Sequence, residues 1–146
     1  MPLGLASQQN VVYPGFDPSF QYTGGKGSGR GKLTRSDGSV FDGHFKDGKF
    51  QGQGKWVLAS GAVFEGEFKE DKRWGPGKLR FPDGKVEIQE YREYDPVGEG
   101  VRWSADGLRA WRMVEGRQRE PIPVEEAAAV AERLGLAVPS FGEDED

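Results

Sequence analysis

Phe41-Asp-Gly-His-Phe-Lys46 and, 23 residues on, Phe64-Glu-Gly-Glu-Phe-Lys69 are the two stretches that decide the fold. Around them the glycines keep the same phase. Gly29-Arg-Gly31, Gly52-Gln-Gly54, Gly75-Pro-Gly77 and Gly98-Glu-Gly100 follow at intervals of 23 residues. Seven residues after each pair comes another glycine: Gly38, Gly61, Gly84 and Gly107. Chance placement does not hold one phase for four units, so the chain is an internal repeat. Outside the two best units the pattern wears away. The same slots read Glu87-Ile-Gln-Glu-Tyr91-Arg92 and then Ala110-Trp-Arg-Met-Val114. Atypical outer repeats are what the ends of such an array require.

Each unit reads as a hairpin. Asp37-Gly38, Asp83-Gly84 and Asp106-Gly107, with Ser60-Gly61 in the remaining unit, separate short alternating runs. Asp-Gly between such runs signals a two-residue type I′ turn, which needs positive φ twice. Strands are expected near 31–36 and 39–45, 54–59 and 62–68, 77–82 and 85–91, and 100–105 and 108–114. The paired glycines then fall where one hairpin hands over to the next. With two-residue loops Thr34 opposes Phe41. Alternation then gathers Phe41, Phe45, Val57, Phe64, Phe68, Tyr91 and Trp103 on one face. The other collects Leu33, Val40, Trp56, Leu58, Val63, Leu79, Phe81, Val86 and Ile88. A single-layer sheet cannot bury both faces against itself, so unburied aromatic rows predict a binding surface.

Composition agrees with a thin sheet. Glycine supplies 23 of the 146 residues, the apolar fraction is 35%, and 12% of the chain is aromatic. There is no cysteine, which removes disulfides and thiolate metal sites. No run approaches the roughly 20 apolar residues of a membrane helix, and the start lacks a signal-peptide pattern. These features predict a soluble intracellular protein. Residues 24–95 carry 14 basic and 12 acidic residues, whereas 96–146 carry 6 and 11. No segment has the basic field that nucleic-acid binding requires.

The residues also argue against catalysis. Gly24 to Lys32 lacks the Walker spacing, and Leu33 stands where a magnesium-binding Ser or Thr belongs. His44 is the sole histidine, and one histidine without cysteines does not make a metal site. Carboxylates such as Asp42, Glu65 and Asp83 occupy linker and turn slots. No enzyme activity, cofactor, metal or small-molecule substrate is expected. Lys46, Lys69 and Arg92 recur in one slot, and Lys32, Lys55 and Lys78 in another. Such ladders are the alternative site, for anionic lipid, although membrane attraction favours clusters of 4–8 uncancelled charges.

The pattern Phe-x-Gly-x-Phe-Lys, then Gly-x-Gly, then Asp-Gly resembles the MORN (membrane occupation and recognition nexus) repeat. The resemblance covers about residues 29–114 and is best over 38–84. It implies an all-β, single-layer twisted antiparallel meander of hairpin repeats with an aromatic groove at Phe41, Phe45, Phe64, Phe68 and Tyr91; the alternation above adds Trp103. It also implies a protein–protein scaffold, which clasps a partner helix or peptide within a larger complex. Short stand-alone members resemble cytoskeletal and ciliary components, such as those of axonemal radial spokes.

The chain divides into an extended N-terminal segment (1–28), repeats (29–117), and a C-terminal part with a short helix and an acidic tail (118–146). Val11, Val12, Tyr13, Phe16 and Phe20 make the N-terminal segment a strap across the sheet. Pro123 opens the helix and Gly135 ends it, with Ala127, Ala131 and Leu134 on one face. The helix is expected to pack on the sheet end and block edge pairing.

Overall fold

The computed structural model describes residues 21–23 and 29–141; the strap expected before residue 21 and the acidic tail lie outside them. Among the described residues, ten strands form one antiparallel sheet whose spatial order is the chain order. They are β1 (Gln21–Thr23), β2 (Gly29–Thr34), β3 (Val40–Lys46), β4 (Lys49–Val57), β5 (Val63–Lys69), β6 (Lys72–Arg80), β7 (Val86–Glu93), β8 (Asp95–Trp103), β9 (Ala110–Val114) and β10 (Arg117–Ile122). One helix, α1 (Val124–Arg133), follows. The sheet therefore runs past both ends of the repeat block, with β1 before it and most of β10 after it.

The loops differ from the sequence expectation by one residue, and the consequence is large. Arg35 N–H donates to the Ser39 carbonyl (2.9 Å) and Gly38 N–H to the Arg35 carbonyl (3.1 Å). That leaves three residues in the loop, a type I turn closed by a left-handed glycine. Gly38, Gly61 and Gly84 have φ of 93°, 98° and 98°. Leu58 to Ala62 and Phe81 to Lys85 close the same way. The aspartates brace these loops: Asp37 Oδ1 accepts from Ser39 N–H (2.8 Å) and Asp83 Oδ1 from Lys85 N–H (3.0 Å). Those hydrogen bonds hold both carboxyls below the usual carboxylate range.

A one-residue change in a loop moves one strand's whole side-chain set to the other face. Leu33, not Thr34, opposes Phe41. Trp56 then stands directly opposite both Phe41 and Phe64, and Leu79 directly opposite Phe64. So Leu33, Trp56, Leu58 and Leu79 join the phenylalanine face. Val57 and Trp103 leave it: Val57 pairs with Val40 and Val63, and Trp103 with Val86.

The tight two-residue turns lie elsewhere, where the glycine pairs were expected to reverse the chain. Lys46 pairs with Lys49 across Asp47-Gly48, and Lys69 with Lys72 across Glu70-Asp71. Both central residues have positive φ in each: 54° and 82°, then 51° and 72°. Gly52-Gln-Gly54 and Gly75-Pro-Gly77 sit inside nine-residue strands, next to bulges that shift the register between Gly43 and Phe45 and between Gly66 and Phe68.

The fourth loop breaks the rule of the first three. Ser104 N–H donates to the Arg109 carbonyl (3.0 Å), so four residues separate the partners. The extra residue shifts the parity again: Ala110 pairs with Trp103 rather than Arg102. This turns Ala110 toward α1. There Val86, Ile88, Val101, Trp103 and Ala110 pack with Ala127, Val130 and Ala131. The helix thus covers the face of β8 and β9 rather than blocking the sheet's edge. Its limits follow the sequence: Pro123 occupies the N-cap position and Gly135 has φ of 84°.

Gly38 has open space around a would-be Cβ, so only its backbone conformation resists substitution. Gly38→Val should cost about 1–2 kcal/mol in urea unfolding, and Gly38→Asn clearly less, because Asn tolerates left-handed φ. Equal losses would place the requirement in packing instead.

Candidate functional site

The repeat's rings lie flat over its glycines. A Cβ on Gly54 would come within 2.4 Å of Phe41 Cζ, and one on Gly77 within 2.4 Å of Phe64 Cζ. Each phenylalanine thus covers a glycine of the next strand, two residues from its direct partner on the same face (Trp56 for Phe41, Leu79 for Phe64). The glycines are what let rings lie down on a single layer. Neighbouring rings then meet edge to face: Phe41 with Phe45 at 5.3 Å, Phe64 with Phe68 at 5.6 Å, and Phe64 with Tyr91 at 5.2 Å. Phe50, which the sequence reading passed over, stacks on Phe41 at 3.7 Å.

This packing corrects the expected open groove. Phe64 is 0% exposed, and Phe41, Phe45, Phe68 and Tyr91 are all buried. They form a core over β2 to β7 with Leu33. Trp103, also buried, belongs to the second core, on the opposite face under α1. The six residues expected to hold a partner are therefore divided between two cores. None of them presents an open ring.

At the end of the aromatic row the chemistry changes. Arg73 lies over Tyr91 (4.6 Å) and Phe64 (5.2 Å), and its Nη2 donates to the Tyr94 carbonyl (2.7 Å). Burial pushes the Tyr91 phenol up to about 12. Glu87 takes the slot that Phe41 and Phe64 hold in the earlier units. It is buried, and it is held by the Arg102 guanidinium and by Gln89 Nε2 (2.9 Å). Arg102 Nη1 reaches on to Gln118 Oε1 (2.8 Å). Every partner of Glu87 is structural, and this cluster closes the row rather than opening a site.

The other face, over β2 to β6, is polar. Lys32, Asp42, Lys55, Glu65 and Lys78 stand directly opposite one another on successive strands. The expected basic ladder of Lys32, Lys55 and Lys78 is thus interleaved with carboxylates, and Lys78 Nζ lies 3.3 Å from Glu65. A groove of about 800 Å³ runs between this floor and the segment after α1, residues 134–140. His44 is exposed on the same face, opposite Arg30. The second ladder, Lys46, Lys69 and Arg92, flanks the two-residue turns. Arg92 pairs with Asp95, and Lys69 Nζ lies 4.9 Å over the half-exposed Trp74 ring. Among the described residues no group of His, Cys, Asp and Glu could hold a metal ion, and no helix is long and apolar enough to cross a membrane.

A profile of the MORN repeat matches the chain four times in succession, at residues 21–40, 41–63, 64–86 and 90–109. No curated protein matches it.

Two measurements test this geometry. Gly77→Ala should cost about 2 kcal/mol of stability by overpacking, and Phe64→Leu in the same chain should recover part of that loss. Strictly additive losses would mean that ring and glycine do not share one space. The second is alkaline. In the unfolded chain tyrosine titrates near 10, so below that pH both states keep the proton and the contribution of Tyr91 is complete. As pH rises toward its folded value, the unfolded state alone ionises and stability is lost, by about 2 kcal/mol across the window. Tyr91→Phe should remove that part of the alkaline loss; an unchanged pH profile would contradict the burial of the phenol.

Proposed function

The chain belongs to the MORN repeat family, a non-catalytic module of protein or membrane contact, and from that premise we propose that it is a protein–protein interaction scaffold, with no enzymatic activity, in a cytoskeletal assembly such as a ciliary axoneme or radial spoke. The observation that carries the reading is the division of labour between the faces. The repeat's rings are consumed in the core, while the face over β2 to β6 keeps a charged, open groove beside the C-terminal segment. A sheet that buries its aromatic area to stay rigid and leaves a shaped polar surface is suited to holding another protein in register. The ciliary and cytoskeletal setting comes from the resemblance to short stand-alone members of the family.

One observation favours membrane contact as a second reading. Trp74 is partly exposed with Lys69 against its ring, a pairing that suits a lipid headgroup region. Acidic neighbours weaken it: Lys72 lies 4.0 Å from Glu93, and the hairpin tips carry Asp47, Glu70 and Asp71.

Affinity purification from ciliated cells, run beside flotation with phosphatidylserine vesicles, separates the two. The scaffold reading expects axonemal proteins to co-purify stoichiometrically and Lys46→Glu with Lys69→Glu to leave that binding within about twofold, since exposed charges contribute little. Flotation abolished by the same double substitution, with no protein partner recovered, would replace it with the membrane reading.

A further inference from the structure

Lys32, Asp42, Lys55, Glu65 and Lys78 form a row of alternating sign across five strands, from β2 to β6. The groove floored by Asp42, Lys55, Glu65 and Lys78 is balanced: Arg30, Lys55 and Lys78 line it against Asp42, Glu65 and Glu67. A balanced surface cannot select a partner by net charge, so a polyanion such as nucleic acid gains nothing there. It can select by the order of charges along a line.

The spacing of the row chooses the kind of chain that fits. Strands lie about 4.8 Å apart, so five rungs span about 19 Å. An α-helix brings a residue to one face about every 5.4 Å, and four turns cover about 22 Å. An extended chain presents same-face side chains about every 6.7 Å and needs about 27 Å for the same five. Only the helix stays in step to within a side chain's reach. This fold already accepts a helix on that face, since α1 lies on the same side over β8 and β9. Two exposed apolar residues flank the row. Val138 is 45% exposed in the wall of the groove. Trp74 is 36% exposed on the same face, two residues from Pro76 in the groove lining. Tryptophan is among the residue types that most often anchor an interface.

We propose that the face over β2 to β6 docks an amphipathic helix of a protein partner, one that carries acidic, basic, acidic, basic and acidic residues on successive turns and an apolar row beside them for Trp74 and Val138. This rests on the scaffold reading above and names its surface and the partner's chemistry. The phenylalanine row on the opposite face contributes rigidity, not contact.

The test uses two fluorescent 20-residue alanine-based helices of one composition. Each carries three glutamates, two lysines and a leucine row. One alternates the charges turn by turn, and the other groups them by sign. The full chain should bind the alternating helix at least about tenfold more tightly in anisotropy titrations. Exchanging two rungs, Lys55→Glu with Glu65→Lys, keeps the net charge but breaks the order, and should abolish the preference. That exchange sets like charges opposite their outer neighbours, so melting is followed alongside. Lys55→Gln with Glu65→Gln removes both charges without a like pair and should also erase the preference. Trp74→Ala should weaken both helices together. Equal affinity for the two helices, binding of neither, or a preference that survives both double substitutions overturns the proposal. So does concentration-dependent dimerisation abolished by the exchange, which would give the face to a second copy of the chain. A co-purified partner whose binding ignores these variants overturns the helix site and leaves the scaffold reading standing.

Discussion

A phenylalanine ring lying on a glycine of the next strand is the contact on which this sheet depends. An isolated sheet layer has no second layer to cover its apolar face. Here the cover is made from the layer's own side chains: Phe41 lies over Gly54 and Phe64 over Gly77. Lying flat, each ring shields two strands at once and leaves room for the edge of the next. The T-shaped contacts at 5.3 and 5.6 Å are the result. Any side chain at Gly54 or Gly77 would stand the ring up and open the layer to water. The period of 23 residues is thus the distance along the chain between one ring and the next ring that can lie beside it.

The same constraint explains where the repeat stops. Glu87 fills the ring's slot in the third unit, and it needs Arg102 and Gln89 because a buried carboxylate without partners is costly. Past Tyr91, that face no longer supplies the core. The apolar residues of β7 that follow the alternation, Val86 and Ile88, turn to the other side and meet α1. The fourth loop is one residue longer, and that residue is what brings Ala110 to the helix as well. The worn sequence at the end of the array is therefore a change of covering. Rings cover the first part of the sheet from one side, and a helix covers the last part from the other.

The eight strands of the repeat block and their order, the helix limits and the left-handed glycines at 38, 61, 84 and 107 were legible in the sequence, because periodicity and turn chemistry are local; the outermost strands, β1 and β10, were not. The facing of side chains was not. Asp-Gly fits both a two-residue turn and the end of a three-residue loop, and the backbone hydrogen bonds from Arg35 to Ser39, Leu58 to Ala62 and Phe81 to Lys85 close the longer one. Choosing the shorter loop moved Leu33, Trp56 and Leu79 off the face they share with Phe41 and Phe64. A signal was present: with the longer loop, Leu33, Trp56 and Leu79 fall in one repeat slot that meets the ring slot, giving one continuous apolar face. The tight turns were hidden for another reason. Glu70-Asp71 adopts positive φ twice without a glycine, and Asp71 is held there by accepting from Phe50 N–H (2.9 Å) and donating to the Phe50 carbonyl (3.1 Å). Such support comes from the neighbouring hairpin and has no local signature.

Burial of the rings also changes how the charged face is to be understood. Cross-strand pairing alone accounts for lysine opposite glutamate at one rung, since opposite charges across strands stabilise a sheet by a few tenths of a kcal/mol. It does not require the sign to alternate across five strands, because each pair could be satisfied along its own hairpin with the next pair placed in either order. Alternation without interruption follows from the repeat: the Lys slot and the Asp/Glu slot recur once per 23 residues, and hairpin stacking interleaves them. A device that stabilises one hairpin becomes, by repetition, a ruler with a rung every strand. Backbone hydrogen bonding sets the spacing of the rungs, and the buried ring row on one face and the alternating charge row on the other have a single origin in the repeat.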